Sequence, residues 1–201
     1  MLDGMIEVKR MDHILKEGRD ITTEVAMIFV DGYYDDLTFL SKNKEKLVLI
    51  FKDAFVPQTF YIALMDGTVA GIVACANNQA RCLRLSKERI TQHLGFFRGS
   101  LAYLFLQKEF HTPLAYNDRT AYIESVATHI RARRKGVATR LLEYIIKNLP
   151  YDEFRLTVKD TNRDALNIYQ RMGFKAFDSL KAGFFEKKHY NYKMYMKLIR
   201  G

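Results

Sequence analysis

The sequence predicts an α/β protein in which a mixed β-sheet is covered by helices on its faces. Alternating apolar runs typical of strands occur near the start, in the middle and at the end of the chain, and helical patterns lie between them. Since the two kinds of segment are interspersed, a sheet flanked by helices is the expected architecture. A length of 201 residues suits a single domain spanning residues 1–201.

Strands are expected where apolar and polar residues alternate or where β-branched residues cluster. The predicted strands are 5–11, 60–65, 68–76, 122–128, 154–159, 174–180 and 192–199. Asp66-Gly67 separates two apolar runs and is a strong signal for a two-residue hairpin turn. A loop at 181–189 is expected to join the last two strands.

Helices are expected where apolar residues recur every three to four positions. The predicted helices are 21–33, 43–55, 86–93, 100–110, 136–148 and 162–172. Thr22 or Thr23 is expected to cap the first helix, and Asp160, Thr161 or Asn162 the last. Gly173 stands where a helix ends in a left-handed residue.

Residues 77–119 form an irregular insert of unusual length. Gly95 and Gly99 are expected to separate its two helices. The segment SLAYLFLQKEF, residues 100–110, has a broad apolar face. The insert is therefore a candidate for acceptor binding or for contact between the subunits of a homodimer.

Charge is unevenly distributed along the chain, whose formal net charge is +9. Residues 1–118 contain 14 Lys and Arg against 15 Asp and Glu, whereas residues 119–201 contain 18 against 8. This asymmetry indicates an anionic partner for the C-terminal part, either nucleic acid or a phosphorylated small molecule. The chain has no apolar run of membrane-spanning length and no signal-peptide pattern, and we expect a cytoplasmic protein with reduced Cys75 and Cys82.

A basic turn follows the predicted strand 122–128. It reads Arg133-Arg134-Lys135-Gly136-Val137-Ala138 and ends where a helical pattern begins. Small residues let the backbone approach a ligand, and the free N–H groups of a helix N-terminus bind phosphate oxygens. Since the three-glycine dinucleotide pattern and the Gly-Lys-Ser/Thr ending are both missing, the turn is neither of those phosphate loops.

A second motif reads N-x-x-A-x-x-x-Y-x-x-x-G-F, from Asn162 to Phe174. Together with the basic turn it resembles the GNAT superfamily of N-acetyltransferases, over roughly residues 119–180. The resemblance implies a central mixed, mostly antiparallel sheet flanked by helices on both faces. It also implies acetyl-CoA as cosubstrate, which explains the basic C-terminal part without nucleic acid. The histidines and cysteines lack the spacing of metal ligands, so no metal is expected.

The resemblance assigns candidate cofactor-binding residues by position. Contacts to the pyrophosphate and the pantetheine arm are implied for Val126, Ala127, Thr128, Arg133, Arg134, Lys135, Gly136, Val137, Ala138, Thr139, Asn162 and Tyr169. Of these, Tyr169 matches the tyrosine that protonates the departing thiolate. A phenol of pKa about 10 suits that transfer.

Glu124 is a second candidate catalytic residue. It lies on the central strand and can accept the proton that an amine loses when it attacks the thioester. The alternative is a sheet carboxylate that faces solvent or pairs with an arginine. His129 and His111 are further candidates for the base.

The amine acceptor is expected at an acidic loop formed by Asp31, Tyr33, Tyr34 and Asp35. The alternative interpretation is that this loop is only a solvated connection between two helices. A peptide N-terminus, a lysine side chain, a polyamine or an aminoglycoside suits such an entrance. Two other functions remain open. One is a non-catalytic acyl-CoA-binding regulator, and the other is a nucleic-acid-binding module with aromatic residues interleaved among cations on one surface.

Overall fold

Seven strands form one sheet in a computed structural model, which describes residues 5–183, 187 and 189–200. The strands are β1 Ile6–Arg10, β2 Phe60–Met65, β3 Thr68–Ala76, β4 Thr120–Thr128, β5 Glu153–Lys159, β6 Lys175–Lys181 and β7 Tyr192–Ile199. Their order across the sheet is β1-β2-β3-β4-β5-β7-β6. Only β4 and β5 pair in parallel, and the mixed, mostly antiparallel sheet is therefore confirmed. The predicted loop 181–189 lies partly outside the described residues.

Eight helices connect these strands within the described part of the chain. They are α1 Met11–Lys16, α2 Thr22–Gly32, α3 Tyr34–Leu37, α4 Lys44–Phe51, α5 Lys87–Leu94, α6 Phe96–His111, α7 Val137–Asn148 and α8 Arg163–Arg171. The sequence did not predict the short helices α1 and α3. It was also wrong about the cap of α2, since the Thr22 N–H donates to the Asp20 carboxylate at 2.9 Å.

The helices cover the sheet from both faces, because strand residues alternate between two buried clusters. Ile72 and Ala74 of β3 pack with α2 and α4, whereas Val73 and Cys75 pack with α7 and α8. Burial raises the pKa of the Cys75 thiol to about 12 and that of Cys82 well above its usual range. Both thiols are therefore protonated at neutral pH, which suits core residues rather than nucleophiles.

The β2–β3 hairpin turns at Asp66-Gly67, as predicted. Both residues have positive φ, 50° and 75°. This combination is typical of the tight hairpin turn whose twist matches that of the strands, and it explains why glycine occupies the second position.

The insert folds back on itself as α5 and α6. Gly95 separates the helices, but Gly99 lies inside α6, where the prediction was wrong. A Cβ at Gly99 would lie 2.6 Å from Thr91 Cα, and the missing side chain is therefore what lets the two helices pack closely. Phe97, Leu101, Leu104 and Phe105 of α6 are exposed. Dimerisation through this face stays a prediction. In the described residues, no helix is long and apolar enough to cross a membrane.

Gly71 of β3 lies directly against α7. A Cβ there would lie 2.6 Å from Val137 Cγ1 and 3.1 Å from the Ala127 carbonyl oxygen. We expect Gly71→Ala to lower the free energy of unfolding by about 1–3 kcal/mol, because α7 must shift away from β3. Urea denaturation measures the change. Val137→Ala removes the methyl group nearest to the new Cβ. The double variant should therefore lose less stability than the sum of the two single variants. Strict additivity of the two losses would contradict this packing argument.

Candidate active site

A groove opens where β4 and β5 separate. The two strands pair only from Thr120 to Ile123, whereas β5 continues to Lys159 along β7. Beyond Ile123 a groove of about 1980 Å³ lies between them. Its walls are the C-terminal half of β4, the end of β5, the start of α7 and α8, together with the α2–α3 turn and α6. The groove therefore connects the basic turn with the acidic loop.

A β-bulge at Ser125 shapes the β4 wall. Ile72 and Ala74 of β3, two residues apart, lie opposite Ala127 and Glu124 of β4, three residues apart. Ser125 lies within this longer step and has a φ of 56°. One extra residue reverses the alternation of side chains along a strand. Val126 consequently packs on the α7 side and Ala127 on the α2 side. On the groove side, the Tyr33 hydroxyl donates to the Val126 carbonyl at 3.4 Å.

The start of α7 leaves its first backbone N–H groups without a side-chain cap. Gly136 precedes it with φ 78°, no side chain caps the helix, and its first turn carries no acidic residue. The first N–H groups are therefore available to a ligand at the positive end of the helix dipole. The side chains of Arg133 and Arg134 are exposed and line the groove beside them.

The opposite wall is α8, which presents Asn162 and Tyr169. Asn162 caps the helix, since its Oδ1 accepts the Ala165 N–H at 3.2 Å. Tyr169 is buried, with its ring edge-on to Phe174 at 5.9 Å. Burial, together with the nearby Tyr122, raises the pKa of Tyr169 to about 12. The phenol therefore holds its proton throughout the neutral range.

Glu124 lies on the other side of the bulge and faces the insert. Its carboxylate is 3.7 Å from Arg81 Nη2, and only 15% of either side chain is exposed. Burial raises the pKa of Glu124, while Cys82 and Arg81 lower it and Glu109 raises it further. Arg81 is held in turn by the Thr112 carbonyl, which accepts from its Nη1 at 2.5 Å. Glu124 is thus a buried carboxylate whose basicity is increased by its surroundings.

The acidic loop also lines the groove, but lysines neutralise part of its charge. Asp31 pairs with Lys44 at 2.5 Å, and Asp36 pairs with Lys159. The Tyr34 hydroxyl donates to the Lys42 carbonyl. Tyr33 is half-buried near Glu124 and Tyr169, and desolvation of its hydroxyl raises its pKa. The assignment of this loop to the acceptor stays a prediction.

The groove brings together nearly all the residues that the sequence proposed for the site. Lys135 is exposed and does not line it. Neither candidate histidine lines it, because each ring serves the backbone: His129 accepts from the Arg131 N–H and His111 from the Leu85 N–H. Among the described residues, no group of His, Cys, Asp and Glu is arranged to hold a metal ion.

Three residues close to the candidate catalytic side chains were not found from the sequence. Arg81 and Cys82 come from the start of the insert, and Tyr122 donates its hydroxyl to Thr157 Oγ1 at 2.8 Å. Arg81 and Cys82 lie about 40 residues before Glu124 in the sequence, and no local sequence pattern indicates that they contact it. For Tyr122, its place two residues before Glu124 on the same strand is a usable signal, because alternate residues share a face.

Comparison with known proteins gives the family. The model of the acetyltransferase (GNAT) family matches residues 29–174. A stretch of 67 residues is 36% identical to an N-alpha-acetyltransferase of Saccharolobus solfataricus and covers 31% of this chain and 40% of that relative. The match thus spans less than half the length of the relative.

Solved structures share the fold over nearly the whole chain. A GNAT-family acetyltransferase of Bacillus cereus has a TM-score of 0.57 at 12% identity and covers 98% of this chain and 99% of its own. The NatC complex bound to Gag peptide and CoA gives 0.56 at 17% identity, with the same coverage. Since the family model spans every element from the end of α2 to Phe174, the chain belongs to the GNAT acetyltransferase family.

Proposed function

We propose that this protein transfers an acetyl group from acetyl-CoA to a primary amine by direct attack. Family membership supports an acyltransferase. The observation that carries the proposal is the single groove that leads from the uncapped start of α7, along the open edge of β4, to Tyr169 and Glu124. Such a groove can hold the cofactor and the acceptor at one reacting carbon.

The groove residues fit coenzyme A. Phosphate oxygens require donors without competing carboxylates, and the first turn of α7 provides them beside two exposed arginines. Backbone N–H groups from Gly136 to Thr139 would hold the pyrophosphate. The free edge of β4 at Val126 and Thr128 would pair with the amide groups of the pantetheine arm, because β5 has moved away there.

Asn162 offers a test that separates stability from cofactor binding. We expect Asn162→Ala to lower the free energy of unfolding by about 1 kcal/mol, because the cap on Ala165 is lost, and Asn162→Ser to retain most of it. Asn162→Asp should keep the cap but weaken coenzyme A binding, since it adds a negative charge near the phosphates. Urea denaturation and calorimetric titration measure the two effects. Unchanged affinity in Asn162→Asp would remove Asn162 from the cofactor site.

Acetyl-CoA, when bound, supplies the thioester whose carbonyl carbon accepts the amine. A backbone N–H of β4 near Val126 and Ala127 donates to the carbonyl oxygen, on which negative charge develops. The Tyr169 hydroxyl donates its proton to the sulfur that leaves. Because the pKa of Tyr169 is about 12, the hydroxyl is in its donating form at any physiological pH.

Glu124 receives the proton that the amine must lose. An alkyl ammonium of pKa about 10.4 is neutral only about once in 10³ molecules at pH 7, which corresponds to a cost of about 4–5 kcal/mol. A carboxylate placed near the reacting carbon, directly or through a water molecule, lowers that cost. Burial strengthens Glu124 as a base because it destabilises the charged form.

A polypeptide is the acceptor that the relatives favour. The relative of Saccharolobus solfataricus is an N-alpha-acetyltransferase, and the NatC structure contains a peptide. The α2–α3 turn and α6 line the part of the groove where an extended chain would enter.

Thiol release over a panel of amines tests the proposal. With acetyl-CoA present, we expect release with peptides that carry a free amine and none with the same peptides after blocking. Coenzyme A alone should raise the melting temperature. If coenzyme A raises it and no amine gives turnover, the protein is an acyl-CoA-binding regulator. If neither effect occurs, the proposed function is wrong.

A further inference from the structure

One face of the C-terminal half of the sheet carries cations in matching register. Arg155 of β5 lies opposite Lys197 of β7, which lies opposite Lys175 of β6. Four residues along β5, Lys159 lies opposite Lys193. Like charges directly opposite each other destabilise a sheet. We call these five residues and the surface between them the cationic sheet face.

No helix among the described residues packs over this face, where Lys175 is exposed and the other four cations are half-exposed. On β5 the cations alternate with Phe154, Leu156 and Val158, which are buried against α7 and α8. The buried cluster on the α2 side contains no residue of β5, β6 or β7 among those the structure describes. The cations therefore lie on the side of these strands that the helices leave open.

Nearby carboxylates compensate only part of the charge. Glu153 pairs with Arg155 at 2.9 Å, and Asp36 pairs with Lys159. In the described part of the chain, no carboxylate lies within ion-pair distance of Lys175, Lys193 or Lys197. Three cations thus hold a register that costs stability in the isolated protein, and an anionic partner would remove that cost.

Aromatic rings hold the cations in place. Arg155 lies over the rings of Tyr116 and Phe177, at 4.9 and 5.5 Å, and Lys197 lies over Phe177 at 5.3 Å. Lys159 and Lys193 both lie over Tyr190. Because cations lie over Tyr116, Phe177 and Tyr190, the faces of these three rings are less accessible to stacking nucleobases.

The cationic sheet face begins inside the groove. Lys159 and Lys193 line it, and Arg155, Lys197 and Lys175 lie about 13 Å farther along the strands, at 3.3 Å per residue. An occupant that extends from the reacting carbon over this surface must carry an amine at one end and anionic groups after it. A polypeptide has both on one chain, whereas nucleic acid has no aliphatic amine to present.

We propose that the cationic sheet face binds acidic side chains of a polypeptide acceptor, a few residues from the amine that is acetylated. This specificity rests on the proposed function. It distinguishes acidic polypeptides from polyamines and aminoglycosides, which the lysines repel.

Binding of labelled peptides tests the inference without acetyl-CoA. One peptide carries glutamates at the second to fifth positions after a free N-terminal amine, and its partner carries glutamine there. Fluorescence anisotropy at low and physiological salt should show tighter binding of the acidic peptide and a loss of that preference as salt rises. Lys193→Gln and Lys197→Gln should each weaken binding of the acidic peptide by roughly two- to fivefold. The matched control is Lys147→Gln. It changes an exposed lysine of α7 and should leave binding of the acidic peptide unchanged.

Thermal melting adds a second readout. Lys193→Gln and Lys197→Gln should raise the melting temperature by about 1–2 °C at low salt, because each removes a like-charge pair, whereas Lys147→Gln should not. Greater stability together with weaker binding is the expected signature of a binding surface.

Three results would overturn the inference. The first is equal binding of the acidic and neutral peptides, and the second is unchanged binding in both lysine variants. The third is tighter binding of an oligothymidylate than of the acidic peptide at the same ionic strength, which would assign the face to nucleic acid. Failure of the proposed function is distinct: the protein would bind the acidic peptide but release no thiol in its presence.

Discussion

Tyr169→Phe should lower kcat by about 10²-fold or more while leaving coenzyme A affinity unchanged. The substitution removes one buried hydroxyl and keeps the ring that packs on Phe174. If that hydroxyl protonates the departing sulfur, its loss affects the transition state and not cofactor binding, which is the behaviour of a general acid. Steady-state thiol release and calorimetric titration of coenzyme A separate the two quantities.

The matched control is Tyr122→Phe. Tyr122 is a second, half-buried phenol in the same groove, and its hydroxyl donates to Thr157 Oγ1. Loss of the Tyr122 hydroxyl should leave most of kcat intact. Comparing the two variants therefore distinguishes a proton donor from a hydroxyl that only makes the groove more polar. Equal, small effects of both substitutions would mean that the thiolate takes its proton from water.

Glu124→Gln should lower kcat/KM by about 10²–10³-fold and change the acid limb of its pH profile. A carboxylate base works only when ionised, so activity is present above its pKa and is lost as the pH falls through it. Because burial raises the pKa of Glu124, this loss should begin at a higher pH than for an ordinary glutamate. In the variant, the acid limb should follow only the amine. Initial rates between about pH 5 and pH 9 measure the profile.

Two charged residues near Glu124 should shift the acid limb in opposite directions. Glu109 raises the pKa of Glu124, so Glu109→Gln should move the acid limb to lower pH. Arg81 lowers it, so Arg81→Met should move the limb to higher pH. Shifts in the same direction, or no shift in either variant, would show that a different group limits the rate in acid.

Several parts of this protein were predictable because their signals are local. The hairpin at Asp66-Gly67 depends on two adjacent backbone conformations, and the end of α8 at Gly173, with φ 92°, depends on one. The turn before α7, with φ 78° at Gly136, likewise follows from a small residue at the start of an amphipathic helix. Each needs only its own segment of chain to be recognised.

Where sequence reasoning failed, a contact with another group in the folded chain decided the outcome. Gly99 looks like a helix breaker, but close packing against Thr91 keeps it inside α6. The cap of α2 was assigned to a threonine, whereas the stronger acceptor Asp20 takes the Thr22 N–H. In both places, the local preference was real and a neighbouring group outweighed it.

The sequence by itself indicated the order of the strands and of the longer helices, the family resemblance and the candidate cofactor residues that line the groove, because these depend on periodicity and on short motifs. Only the tertiary structure decided the rest. Strand register placed Lys197 between Arg155 and Lys175. The bulge at Ser125 reversed the alternation of side chains along β4, and the fold of the insert brought Arg81 to Glu124. Register, bulges and long-range ion pairs are set by the packing of segments far apart in the chain, and no single segment carries that information.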